Sequence, residues 1–308
     1  DNWEPVCPPL SRSKAEKYRK EGWVPLERAV AEAAIAKEEG DWNEGIKSFL
    51  MFQRATAPDG QQLPERIPKD MSLCFEFERN GVAIFMLDTR TRRRRRTAAS
   101  KEPARMLDDE ELVELKAWLI TNRHRPKLIV EPALFFPRHR HSVAALLANG
   151  QTDLGASASL RSDSWDGYPD SCYELLSFIA DQKITQTIFL SGDEHLGLFS
   201  SASIRGPNSN APVKIWTIHT PGLYTPYPFA NASSSDFMAN ETFEFERGNG
   251  SGKYQCTVES TFFDAPAFAM ISLEQDPQSK AWQLSCEMDG PVGKARERVV
   301  INVGRTPL

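Results

Sequence analysis

Between residues 72 and 190, strand-length apolar runs alternate with amphipathic helical stretches, and that alternation restricts the chain to a layered α/β arrangement. Ser72–Glu78 alternates, with Leu73, Phe75 and Phe77 on one side. Asn80-Gly81 follows, then Val82–Leu87. Asn-Gly accepts the positive φ angles of a type I′ turn, so the two runs predict a hairpin. The second run is apolar on both faces and is expected inside a sheet. Asp108 is placed to cap a helix in which Leu112, Leu115 and Leu119 recur at helical spacing. Lys127–Glu131 reads as a buried strand. Pro169 or Asp170 starts a second helix with Leu175, Leu176 and Ile179 inward, and Gln186–Leu190 is the next strand. From Val213 onward strands dominate, at about 214–219, 241–247, 254–262, 267–274, 281–288 and 296–302. The pattern predicts an α-β-β-α sandwich of two packed mixed sheets with outer helices.

No linker divides the chain, so residues 1–308 are expected to form one domain: a helical and loop segment over 1–70, an α/β half over 71–220 and a strand-rich part over 221–308. Within the first segment Pro25 opens a helical stretch that Gly40 closes, and a second helix is expected from Asn43 to Arg54. Residues 136–163 form a long loop, a length that often marks a functional site. No apolar run is long enough to cross a bilayer, and the first residues carry no secretory signal, so the compartment stays unassigned. The five cysteines, Cys7, Cys74, Cys172, Cys256 and Cys286, include no C-x-x-C pair and predict neither a disulfide framework nor a zinc knuckle. The net charge of −5 gives no general attraction for nucleic acid or anionic membrane. Bound cations would reconcile it with an anionic substrate. Glycosylation sequons at Asn231, Asn240 and Asn249 cluster in one polar stretch.

The strongest chemical signal is Thr187-Ile-Phe-Leu-Ser-Gly-Asp-Glu-His195. An apolar strand ends at Ser191, Gly192 permits a sharp turn, and Asp193 and His195 follow. If the backbone stays extended, residues two apart face the same way, so Asp193 and His195 converge while Glu194 points elsewhere. Sites in α/β sheets gather at the carboxyl ends of strands, where a carboxylate and an imidazole suit a metal ion. The same pair also suits a carboxylate that orients a catalytic His. Asp88 and Arg90 end another strand and read as a structural ion pair or as a phosphate contact. Trp165, Asp166 and Tyr168 form a turn beside a helix, either packed or lining a substrate pocket. Arg92–Arg96 is a run of five arginines, expected to be an exposed loop. His139 and His141, His219 and His124 read as a solvated loop, a structural strand residue and a helix-end cation.

Taken in order, three segments resemble the PhoD-like phosphatases, a branch of the calcineurin-like metallophosphoesterases. They are Ala83-Ile-Phe-Met-Leu-Asp-Thr-Arg90 with Arg92 after it, Asp163-Ser-Trp-Asp-Gly-Tyr168 ahead of a Leu-Leu helix, and Phe189-Leu-Ser-Gly-Asp-Glu-His195. The stretch Pro221–Ala230 is similar to a later family segment, and the resemblance covers about residues 70 to 300. Asp1-Asn2-Trp3 looks like the tail of the family's D-x-H-E-x-x-D/N-N/D-W element. On that resemblance the rest of the element, and the first strand of the fold, would precede Asp1.

The resemblance implies a metallophosphatase-like sandwich and a hydrolase of phosphate mono- or diesters. Two metal ions, iron, manganese or calcium, would bridge an attacking hydroxide and the phosphate. Asn2, Asp193 and His195 would be ligands, with Asp193 and His195 also the catalytic residues, and Arg90, Trp165 and Tyr168 would meet the substrate. The alternative is a non-catalytic binding module on the same fold, contacting nucleic acid or polyphosphate through Arg92–Arg96.

Overall fold

Asn80 and Gly81 take φ of +51° and +82°, the pair of left-handed conformations that a type I′ hairpin needs. They join β1 (Phe75–Arg79) to β2 (Val82–Met86) in antiparallel register, Arg79 opposite Val82. This computed structural model describes residues 73–93, 105–135, 164–209, 211–222, 234, 237, 239–247, 252–263, 265–290 and 297–305. The helices expected before residue 70, the loop at 136–163 with His139 and His141, and Asn2 all lie outside them.

Beyond the hairpin, α1 (Asp109–Thr121) leads to β3 (Lys127–Val130), and a 3-10 turn at Trp165–Gly167 leads to α2 (Pro169–Asp181). Next come β4 (Thr187–Ser191), β5 (Gly197–Arg205), β6 (Val213–His219), β7 (Asn240–Glu246) and β8 (Lys253–Phe263). The last strands are β9 (Phe268–Gln275), β10 (Ala281–Asp289) and β11 (Glu297–Arg305). Asp108 caps α1 as its sequence position suggests, its side chain accepting from the Glu111 N–H at 2.9 Å. At the other end Asn122 is the cap, its Nδ2 donating to the Trp118 carbonyl, so His124 has no capping part.

Eight strands form one mixed sheet in the order β1-β2-β3-β4-β6-β5-β8-β7, and β11-β10-β9 form a second sheet. The second sheet is antiparallel throughout rather than mixed. Within the large sheet β2, β3, β4 and β6 run parallel, so their carboxyl ends share one edge of the molecule. Alternation along these strands divides two cores. Phe85, Ile129, Phe189 and Ile215 pack under α1 and α2. Val82, Ile188, Trp216 and Ile218 pack against Trp282, Leu284 and Val303 of the small sheet. Cys74, Cys172, Cys256 and Cys286 are buried.

Strand β5 is a departure from the sequence reading, which placed no element at Gly197–Arg205. Its Ser200, Ser201 and Ser203 dilute the hydrophobic signal, yet it sits between β6 and β8. There Ser200 Oγ is matched by Ser260 Oγ at 2.6 Å, which removes the cost of burying both hydroxyls. Among the described residues the large sheet ends in β1 and β7, and both edges alternate Phe with Glu: Phe-Glu-Phe-Glu-Arg in β1, Phe-Glu-Phe-Glu within β7.

One buried carboxyl makes this fold sensitive to alkali. Glu111 in the first turn of α1 is fully buried, and its Oε2 has no hydrogen-bond partner among the described residues. Burial, then the charges of Asp88 and Asp108, push its pKa up to about 8. The folded state therefore holds a proton that the unfolded chain releases near pH 4.5. The stabilisation is complete below pH 4.5 and is lost as pH rises through about 8. Lys127, whose pKa burial lowers to about 7, acts in the opposite sense at higher pH. The comparison is therefore made against Glu111→Gln in urea unfolding. Relative to that variant, the wild type should lose up to about 1.4 kcal/mol per pH unit between pH 5 and 8. A pH-independent difference would show that Glu111 is ionised or solvated in the fold.

Candidate active site

The carboxyl ends of β2 and β4 hold the segments that the sequence singles out. After β2, Asp88 folds the chain back on itself: its Oδ1 accepts from the N–H of Arg90 at 2.8 Å and of Thr91 at 3.0 Å, and the Thr91 hydroxyl donates to Oδ2. Asp88 thus holds the backbone of Arg90, and the expected ion pair between their side chains is corrected. The Arg90 guanidinium reaches across to Asp193, 3.7 Å away. Both side chains are part-exposed, 31% and 46%, so the pair is a weak one in water and leaves both groups accessible.

The turn after β4 departs from extended geometry. His195 has φ of +53°, a left-handed conformation that a non-glycine residue adopts only when its surroundings enforce it. The i, i+2 argument therefore fails at His195. Gly192 has no positive φ. A Cβ there would lie 3.1 Å from Thr220 Oγ1, a tight contact to which the Thr220 side chain would have to yield. His195 Nδ1 is buried and has no hydrogen-bond partner among the described residues.

Two contacts hold the turn from within. Ser164 donates to Glu194 Oε1 at 3.0 Å, so Glu194 is tied to the segment before α2. His219, last residue of β6 and paired in register with Ser191, places Nδ1 2.7 Å from Ser191 Oγ and Nε2 2.9 Å from the Glu194 N–H. Burial, with a smaller effect from His195, lowers the His219 pKa to about 3, so the ring is neutral. Sequence reasoning treated His219 as structural and passed over Ser164, Ser191 and Glu194. The available signal was that two apolar runs end in Ser191 and His219, which parallel pairing brings side by side.

Trp165 and Tyr168 pack within the core. Both are fully buried, and the expected pocket wall is corrected to core packing. Trp165 stands edge-on to Phe135 and donates from Nε1 to Glu131 Oε2 at 2.6 Å. The arginine run is corrected as well. Arg92 pairs with Asp108 at 2.6 Å and Glu110 at 2.8 Å. Arg93 is fully buried, its Nε donating to the Thr89 carbonyl at 2.6 Å and its guanidinium 5.1 Å from the Tyr168 ring centre. Arg94–Arg96 lie outside the described residues. The binding-module reading therefore loses two of its five cations to the fold. Arg93 also lies near Glu131, a buried carboxyl that the sequence reading treated only as a strand end. Burial raises the Glu131 pKa well above the usual range, against the smaller opposing effects of Trp165 and Arg93.

Among the described residues no group of three or more His, Cys, Asp and Glu side chains could hold a metal ion. What they offer is a partial donor set: the unpartnered Nδ1 of His195 and the accessible carboxylate of Asp193. Both atom types suit a hard or borderline cation, and further ligands would be needed to complete its coordination.

The sequence model of the PhoD-like phosphatases matches residues 65–265, and the chain belongs to that family. No curated protein matches it. Among solved structures, "Structure of PhoD" aligns with 92% of the chain and 52% of its own length, at 14% identity and a TM-score of 0.45. The chain thus spans about half the length of that structure.

The Glu131 environment can be tested directly. Trp165→Phe keeps the ring packing but removes the donor to a buried carboxyl. It should cost about 1–3 kcal/mol in urea denaturation, the cost of stranding a buried polar group. A loss below about 0.5 kcal/mol would show that water already serves Glu131.

Proposed function

We propose that this chain carries part of a metal-dependent phosphoesterase centre, and that the protein to which it belongs hydrolyses phosphate mono- or diesters. The observation that carries the reading is the meeting of two motif segments at one sheet edge. Arg90 from the end of β2 lies 3.7 Å from Asp193 after β4, and His195, two residues further on, has a buried Nδ1 with no hydrogen-bond partner among the described residues. Membership of the phosphatase family supports the reaction class.

In this reading Asp193 and His195 are the ligands and catalytic residues supplied by the β4 turn, with Asn2 a further ligand. Bound metal ions, two of iron, manganese or calcium, would lower the pKa of water to give a nucleophile and spread the charge that develops on the phosphate. Arg90 is placed to bind a phosphate oxygen, since a guanidinium paired with an accessible carboxylate can exchange that partner for a substrate anion. Asp88 orients Arg90 by fixing its backbone. Ser164 and the buried turn around Trp165 keep Glu194 from swinging into the anion's place.

The natural protein should hydrolyse a chromogenic phosphomonoester or phosphodiester, and chelation followed by dialysis should abolish that activity. Readdition of iron, manganese or calcium should restore it. Asp193→Ala and His195→Ala should each lower turnover at least about a hundredfold while leaving the unfolding midpoint within a few degrees. Arg90→Ala should raise KM more than it lowers kcat. Activity that survives both the Asp193 and the His195 substitutions would sink the site assignment. A natural protein inert with every metal would favour the binding-module alternative.

A further inference from the structure

We propose that His219 is a positioning residue for the Asp193–Glu194–His195 turn, acting as a neutral imidazole fixed in the Nδ1–H tautomer. This deepens the phosphoesterase reading and rests on it for the functional consequence, though not for the tautomer.

The tautomer follows from the partners. The Glu194 backbone N–H can only donate, so His219 Nε2, 2.9 Å away, accepts and carries no proton. A neutral ring holds its one proton on the other nitrogen, so Nδ1 donates to Ser191 Oγ at 2.7 Å. His219 is fully buried, and its place between Ser191 of β4 and Leu198 of β5 is set by strand register rather than by its own torsions. The ring therefore ties the last residue of β4 to the peptide two residues past Gly192, across the turn that carries both functional side chains.

The turn needs such a tie because its backbone is not at rest. The left-handed conformation of His195 costs on the order of 1 kcal/mol and persists only when neighbouring contacts enforce it. The Thr220 N–H fixes the Ser191 carbonyl at 2.9 Å, and Ser164 fixes the Glu194 carboxylate at 3.0 Å. His219 takes the Glu194 N–H. Without that acceptor the N–H would be stranded, and the peptide would gain by rotating toward water and extended geometry. Rotation would carry Asp193 away from Arg90 and turn the His195 ring out of its present place. An aliphatic residue at 219 would fill the space and leave this defect. Glutamine places an amide oxygen near the position of Nε2 and would repair it in part.

The test uses the natural protein, its His219→Leu and His219→Gln variants, imidazole nitrogen NMR, amide exchange and steady-state kinetics. In the wild type, Nε2 should show the shift of an unprotonated nitrogen and Nδ1 that of a protonated one, and the Glu194 amide should exchange slowly. His219→Leu should lower kcat roughly 10- to 100-fold, the usual loss when a group that orients a functional side chain is removed, with KM changed by less than about threefold. Its Glu194 amide should exchange fast. His219→Gln should recover most of the turnover and of the protection. An Nε2–H tautomer in the wild type, or an unprotected Glu194 amide, overturns the proposal without reference to catalysis. A folded His219→Leu protein with wild-type kcat overturns it as well. If His219→Leu does not fold, the wild-type tautomer and the Gln variant still decide. If the wild type turns over no ester, the phosphoesterase reading has failed, and the tautomer and exchange results judge the tie alone.

Discussion

The four parallel strands β2, β3, β4 and β6 share one hydrogen-bonded register, and everything at the site depends on it. Because Leu190 pairs with Val130 and Ile218, and Ser191 with His219, the strands end level with one another. Side chains that are far apart in sequence then reach the same edge: Asp88 and Arg90, Glu131, Asp193 and His195, His219. A slip of one residue in β6 would turn His219 to the opposite face of the sheet and leave the β4 turn without its buried acceptor. The apolar content of these strands therefore does more than fill two cores. It sets the register from which the polar ends take their positions.

Below that edge lies a layer in which charge is kept out of water. Glu131, Arg93, Trp165 and Tyr168 are all buried, Arg93 from the connection after β2 and the other three from the connection between β3 and α2. Glu131 follows β3, Arg93 closes the segment after β2, and Trp165 and Tyr168 precede or open α2. Such a cluster stabilises little in comparison with an apolar core of the same volume, because desolvation offsets most of the attraction. Its effect is on uniqueness. The segment carrying Arg90 and the segment carrying Ser164 can each dock in few ways if a guanidinium, an indole N–H and a carboxyl must meet. The arrangement places rigid polar contacts behind a rim whose own pair, Arg90 and Asp193, stays loose enough to exchange partners.

Much of the framework was legible in the chain because its signals are local. Asn80-Gly81 specifies its own dihedral angles, Asp108 caps the helix that follows it, and Pro169 opens α2 where its missing N–H costs nothing. The failures share a different origin. Strand β5 owes its existence to Ser260 and its neighbours on β8, which match hydroxyls that a window of sequence scores as polar. Arg92 and Arg93 look like a solvated run until Asp108, Glu110 and the Tyr168 ring are brought to them by the fold. The convergence of His195 with Asp193 rests on an extended backbone after Ser191, and Trp165 and Tyr168 read either as packed or as lining a pocket. In each case burial and tertiary hydrogen bonds, absent from any local window, decide the outcome. The resemblance to a phosphatase family pointed to Asp193 and His195, whereas the contacts that hold their turn became visible only with the parallel register in place.

The Phe–Glu alternation at both margins of the large sheet has a consequence for how the protein meets other copies of itself. An edge strand offers a row of free backbone donors and acceptors, and phenylalanine at every second position would favour recruitment of a further strand. On β1, Glu76 and Glu78 are exposed on either side of Phe77, and on β7, Glu244 and Glu246 bracket Phe245. Two such margins approaching each other would bring carboxylates together, with Glu78 and Glu244 partly neutralised by Arg125 and Lys253. Among the described residues, the strands that border the large sheet thus carry aromatic packing and negative charge on alternate positions, a pattern that weakens adhesion between like margins.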